Sequence, residues 1–97
     1  MRAEKLTKTI SGWKIAGQSV APTGATLVAF EHGAHMALAT GAPPPTFPVG
    51  KVVHAAKQAG KSFHLEFDDG TSVPVSLAGP TSSVQVEDEN GNLVYMD

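Results

Sequence analysis

Four histidines and nine carboxylates are the side chains of this cysteine-free chain best suited to binding a metal or moving a proton near neutral pH. His54 and His64 lie on either side of Gln58-Ala59-Gly60. If those three residues form a hairpin loop, His54 stands directly opposite His64, and Glu66 projects from the same sheet face two residues on. Two imidazoles and a carboxylate suit zinc or another borderline metal. His54, His64 and Glu66 are therefore the candidate metal ligands, and the assignment depends wholly on the loop length. The competing reading is two half-exposed histidines on a polar face shared with Ser62, Ser72 and Ser76. Pro74 falls opposite His64, which marks its strand as an edge or an irregular position.

The other clusters carry less chemistry. His32 and His35 straddle an expected turn and share no helical face. Asp68-Asp69 and Glu87-Asp88-Glu89-Asn90 lack the alternating oxygen ligands and closing glutamate of a calcium loop, and turns favour Asp and Asn on their own account. Neither a nucleophile elbow nor a phosphate-binding loop is present, despite Gly50-Lys51-Val52. Pro45-Thr46-Phe47-Pro48 has the form that aromatic grooves recognise, and it also reads as a plain connector. No motif implies a cofactor.

The elements that must position these residues are read from repeated punctuation. Glu31-His32-Gly33, Gln58-Ala59-Gly60, Asp68-Asp69-Gly70 and Glu89-Asn90-Gly91 each set two residues and a glycine between apolar alternations. Three-residue hairpin loops end on a left-handed residue, which glycine adopts at little cost. The first loop pairs Phe30 with Ala34, Val28 with Met36 and Thr26 with Leu38. Its other face carries Leu27, Ala29, His35 and Ala37 and is also fairly apolar, a pattern that burial in the domain or contact with another subunit would explain. The loops at 58–60 and 68–70 place Val53, Ala55, Phe63, Leu65, Phe67, Val73 and Val75 on one face. The last loop pairs Val86 with Val94 and Val84 with Met96. A two-residue Asn90-Gly91 turn would instead pair Val86 with Tyr95 and leave a less consistent apolar face.

Between Thr7 and Val20 the alternation is poor, and one or two bent strands are expected there. Residues 41–50, with three consecutive prolines, form a polyproline connector. The chain reads as one domain: a first half (1–40), the connector, and a meander with a C-terminal hairpin (51–97). Six to eight short strands make it all-β. A small antiparallel barrel of SH3-like or OB-like size is the expected architecture, since closure removes edges, and a small sandwich is the alternative. The likeness to small barrels is one of architecture and transfers no site residue.

Composition bounds the function. The first 61 residues hold all seven bases and two acids, whereas the last 36 hold seven acids. Either the fold interleaves these charges, or it leaves a dipolar surface able to drive association. Bases so dispersed, with few aromatics among them, do not form a nucleic-acid patch. An apolar leader and a membrane-length run are both lacking, so a cytoplasmic location is expected. With no catalytic constellation, the expected function is a non-enzymatic, self-associating module, a homodimer at its simplest, that binds a protein or peptide partner. The expected interface comprises Leu27, Ala29, His35 and Ala37, with Trp13 and Tyr95 as aromatic anchors. The alternative is a small-molecule or metal-binding protein using the His54/His64 face.

Overall fold

Alternating apolar residues generate strands wherever a glycine turn lets the chain double back, and the result here is eight strands and one short helix among the described residues. The structure, a computed structural model, describes residues 4–40 and 45–97. The elements are α1 (Glu4–Ile10), β1 (Ile15–Val20), β2 (Thr26–Phe30), β3 (His35–Leu38), β4 (Val53–Ala59), β5 (Ser62–Phe67), β6 (Ser72–Ser76), β7 (Val84–Glu87) and β8 (Leu93–Met96). They form two antiparallel sheets, one in the order β1-β2-β3-β7-β8 and one in the order β4-β5-β6. Among the described residues no continuous ladder closes a barrel. Instead, isolated bridges at Lys14–Val52 and Thr40–Leu77 join the sheets at two corners. The prolines Pro43 and Pro44 of the expected connector lie outside the described residues. Beyond them, the Gln18 side chain donates to Pro45 O at 2.8 Å and accepts from Phe47 N at 2.6 Å, which seats Phe47 in the core.

The helix corrects the strands expected near Thr7. Leu6 and Ile10 are one helical repeat apart and both fully buried. Glu4 in the first turn and Lys8 in the last complement the helix dipole. Ser11 N still reaches Thr7 O, and Gly12, at φ 89°, then turns the chain out of the helix. The helix packs on β4 and, less extensively, on β8. Thr7 Oγ1 accepts from Ala56 N and donates to Ala56 O, both at 2.9 Å. One hydroxyl thus satisfies the backbone of β4 where a neighbouring strand would.

The hairpin registers sort cleanly. β2–β3 pairs as expected, with Val28 opposite Met36 and Thr26 opposite Leu38. Gly33 is required there twice over, since its φ is 98° and a Cβ would sit 3.3 Å from that of Glu89. β5–β6 also pairs as expected, with Leu65 opposite Val73 and Phe63 opposite Val75. His64 opposes Pro74 in a non-hydrogen-bonded position, so the N–H that proline lacks would have pointed away from β5. In β7–β8 the loop has the expected three residues, with Asp88 N bonded to Asn92 O, and Glu87 opposes Leu93. A bulge then intervenes and pairs Val86 with Tyr95 and Gln85 with Met96. The pairings of Val86 with Val94 and of Val84 with Met96 are corrected by that one extra residue, which turns the Tyr95 ring into the core.

The β4–β5 register is the consequential correction. Ala59 pairs with Ser62, so the loop is Gly60-Lys61, and Gly60 alone in it takes a positive φ, 60°. That is the two-residue turn with glycine first, whose twist matches the strands better than a longer loop. A bulge between Val53 and Ala55 lets Val53 and Ala56 both face inward, so Ala56 rather than Ala55 is buried. Gln58, expected in the loop, is instead a buried strand residue. Its Nε2 holds Gly60 O at 3.2 Å and Pro80 O at 3.3 Å, while its buried Oε1 has no hydrogen-bond partner.

Candidate functional site

The register of β4–β5 decides where the histidines go. Lys57, not His54, stands opposite His64, and Glu66 stands opposite Ala55. The expected cross-strand histidine pair is therefore not formed. His54 Nδ1 lies 3.5 Å from Asp68 Oδ1, and Glu66 Oε2 lies 3.1 Å from Lys57 Nζ. His54, Glu66 and Asp68 line one open cleft of about 350 Å³, with Ser72 and Gly70 on its rim. Among the described residues, no group of three His, Cys, Asp or Glu side chains has the geometry to hold a metal ion. The physical reason is the turn: moving the loop from Gln58-Ala59-Gly60 to Gly60-Lys61 shifts the register by three residues, and the bulge between Val53 and Ala55 leaves His54 beside the Glu66–Phe67 end of β5 instead of opposite His64.

The ion pairs also resolve the charge asymmetry. Lys51–Asp69 (2.6 Å) and Lys57–Glu66 each join a base from the first 61 residues to an acid from the last 36, and His54 and His32 lie beside Asp68 and, at 3.9 Å, Glu89. The fold thus interleaves opposite charges along the second sheet and at the loop ends. Asp69 is the most strongly held. The Lys51 ammonium, the Thr71 hydroxyl and the Thr71 N–H all bond its carboxylate and keep it well below the usual carboxylate range. A pKa depressed on folding stabilises the fold above the ordinary value of about 4 and loses that contribution on acidification below it. D69N is therefore expected to be less stable than the parent at pH 7, with the difference in melting temperature shrinking steadily below about pH 4. A pH-independent difference would show that the carboxylate charge is not what the turn uses.

Of the two expected aromatic anchors, Tyr95 is buried and Trp13 is half-buried against the edge of the core. Trp13 packs edge-on against Phe30 at 5.1 Å and His32 at 4.5 Å between ring centroids. Tyr95 is buried in the core beneath β7. Because β1 and β8 are the two edges of one sheet, the rings do not meet as a pair.

Leu27, Ala29, His35 and Ala37 do lie together, on the face of the five-stranded sheet opposite Val28, Phe30 and Met36. The registers extend this outer face into two rows across all five strands. One row runs Gly17, Ala29, His35, Glu87, Leu93, and the other runs Ser19, Leu27, Ala37, Gln85, Met96. The two rows contain no Lys or Arg and one carboxylate, Glu87. Leu93 and Met96 are 51% and 62% exposed. Beside the second row, Ala25, Leu27, Ala37 and Ala39 line a shallow hollow of about 240 Å³. Sequence reasoning found the β2–β3 part of this face but missed Gln85, Leu93 and Met96. The β7–β8 bulge turns Met96 outward in place of Tyr95, and no residue type announces it.

Comparison with protein-family models, curated proteins and solved structures returned no match. No helix among the described residues is long and apolar enough to cross a membrane.

Proposed function

We propose that this chain is a non-enzymatic β module that self-associates through the outer face of its five-stranded sheet, with a second copy as its partner. The observation that carries the reading is the two-row face itself. It sets Leu27, Ala29 and Ala37 around His35, holds no Lys or Arg and is covered by no element among the described residues, whereas the ion pairs Lys51–Asp69 and Lys57–Glu66 lie at the second sheet. A patch of this kind on an otherwise charged surface marks an interaction site. A second copy fits it because two surfaces with almost no charge do not repel each other. The same face offers a flat apolar platform to a protein or peptide of similar character.

Light scattering across a hundredfold dilution tests the proposal. A dimer mass that falls towards the monomer at the lowest concentrations is expected, with weak dependence on salt because the face carries so little charge. A monomer mass at every concentration would remove self-association. The alternative metal reading has lost the His54/His64 pair that motivated it.

A further inference from the structure

We infer that Asn90 is a site of spontaneous covalent modification, and that Asp88 sets its rate by holding the backbone nitrogen that would attack it. The inference stands apart from how copies of the chain associate.

An asparagine followed by glycine can lose its own side-chain amide. The glycine nitrogen attacks the asparagine Cγ, and the new N–Cγ bond forms as the Cγ–Nδ2 bond breaks. The glycine N–H proton leaves with the amide nitrogen as ammonia, so the step needs neither an oxidant nor a co-reactant. Water then opens the cyclic imide. Cleavage of the N–Cγ bond gives aspartate. Cleavage between the nitrogen and the main-chain carbonyl gives isoaspartate, whose backbone runs through the former side chain. Glycine favours the closure because it carries no Cβ to obstruct its nitrogen.

The chain has two asparagines, Asn90 and Asn92. Asn92 precedes the branched Leu93, and its side chain is tied to the Asp88 carboxylate. Asn90 precedes Gly91, and both are exposed at the tip of the β7–β8 loop. No hydrogen bond holds the Asn90 side chain among the described residues. The carbon to be attacked is therefore accessible.

The attacking nitrogen is not. Gly91 N donates to Asp88 O at 3.0 Å. Asn90 N and Asn92 N both donate to Asp88 Oδ1 at 2.9 Å. One residue thus holds three successive N–H groups. The Asn92 N–H is the chief cause that keeps the Asp88 carboxyl below the usual carboxylate range. The Asp88 O–Gly91 N bond and the positive φ of Gly91, 82°, are those of a type I turn closed by a left-handed residue. Such a turn keeps ψ of its third residue, here Asn90, at about 0°. That angle sets the Gly91 nitrogen beside the backbone nitrogen of Asn90 and away from its side chain. Attack on Cγ requires the Gly91 nitrogen to leave Asp88 O and the Asn90 ψ to rotate, so the reaction passes through an opened loop.

The two products differ in consequence. Aspartate suits the turn as well as asparagine does. Isoaspartate adds a main-chain carbon to a three-residue loop and so misfits the β7–β8 register.

Incubating the full chain at mildly alkaline pH, native and in urea, tests the inference. Peptide mapping by mass spectrometry and enzymatic labelling of isoaspartate read the conversion. Conversion confined to Asn90 is expected, with the native chain slower than the urea sample by roughly tenfold or more, because its loop must open first. D88A deletes the acceptor of two N–H groups and should bring the native rate close to that in urea. D88N keeps an oxygen in the same place and should stay near the wild-type rate. Leu6→Ala weakens the fold far from the loop and should also stay near it. Equal native and urea rates would overturn the restraint. So would D88N or Leu6→Ala reacting as fast as D88A, since charge or overall stability would then set the rate. Asn90 intact in native D88A after the urea sample has converted would overturn the site.

Discussion

Leu6→Ala is expected to lower the unfolding free energy by about 3 kcal/mol, the middle of the range for truncating a fully buried leucine. The effect is large because α1 has no independent existence. At seven residues, with three β-branched side chains among them, it is too short to persist in water. Leu6, Ile10 and the Thr7 hydroxyl hold it against the second sheet. Removing Leu6 leaves a cavity beneath β4 and loosens the clamp on Ala56, whose N–H and C=O then lose their partner. A domain of this size commands only about 5–15 kcal/mol in all, so the melting temperature should fall by well over 10 °C. Urea unfolding followed by fluorescence of the sole tryptophan, Trp13, reads the change at fixed protein concentration. The exposed neighbour Lys8→Ala serves as control and should stay within about 0.5 kcal/mol of the parent. A loss below 1 kcal/mol for Leu6→Ala would mean that the helix detaches without disturbing the sheets.

Leu27→Glu is expected to abolish dimer formation while the fold survives. Leu27 is only partly buried and points away from the core formed by Val28 and Phe30, so the substitution opens no internal cavity. In the proposed dimer, however, each new carboxylate would be buried against a face that holds no Lys or Arg. Symmetry repeats the penalty, and burying a charge without a partner costs several kcal/mol in practice. The dissociation constant should rise at least a hundredfold. Sedimentation or light scattering reads the mass, and far-ultraviolet circular dichroism together with urea unfolding monitors the fold. A Leu27→Glu dimer as tight as the parent would place the contact elsewhere on the molecule.

The parts of this structure legible in the sequence are those where one turn type has no competitor. Asp68-Asp69-Gly70 and Glu31-His32-Gly33 place φ-positive glycines at the third loop position, and both registers follow. At Gln58-Ala59-Gly60-Lys61 the same glycine suits two loops, and the choice rests on bulging at Val53–Ala55. Two adjacent alanines, 55 and 56, offer either face equally well, so the apolar pattern could not arbitrate. That ambiguity is what produced the His54/His64 pairing. Strand β8 shows the same weakness, since Leu93, Val94, Tyr95 and Met96 are all apolar enough to face inward. The helix was hidden because Leu6 and Ile10 supply one repeat, too few to show a period. Closure of a barrel was an inference from the need to protect edges, and the fold meets that need by other means.

Those means bear on what happens when many copies are crowded together. Strand ends of sheets are the usual templates for runaway polymerisation, because each added strand presents a fresh row of donors and acceptors. Here Pro74 deletes a donor from the outer side of β6, and the Thr7 hydroxyl occupies the backbone of β4 at Ala56. Growth by strand addition is thus obstructed at both ends of the smaller sheet. A contact made through a sheet face about a two-fold axis is used up once two molecules have met. A dimer of the proposed kind would therefore count to two and stop, rather than propagate into fibres.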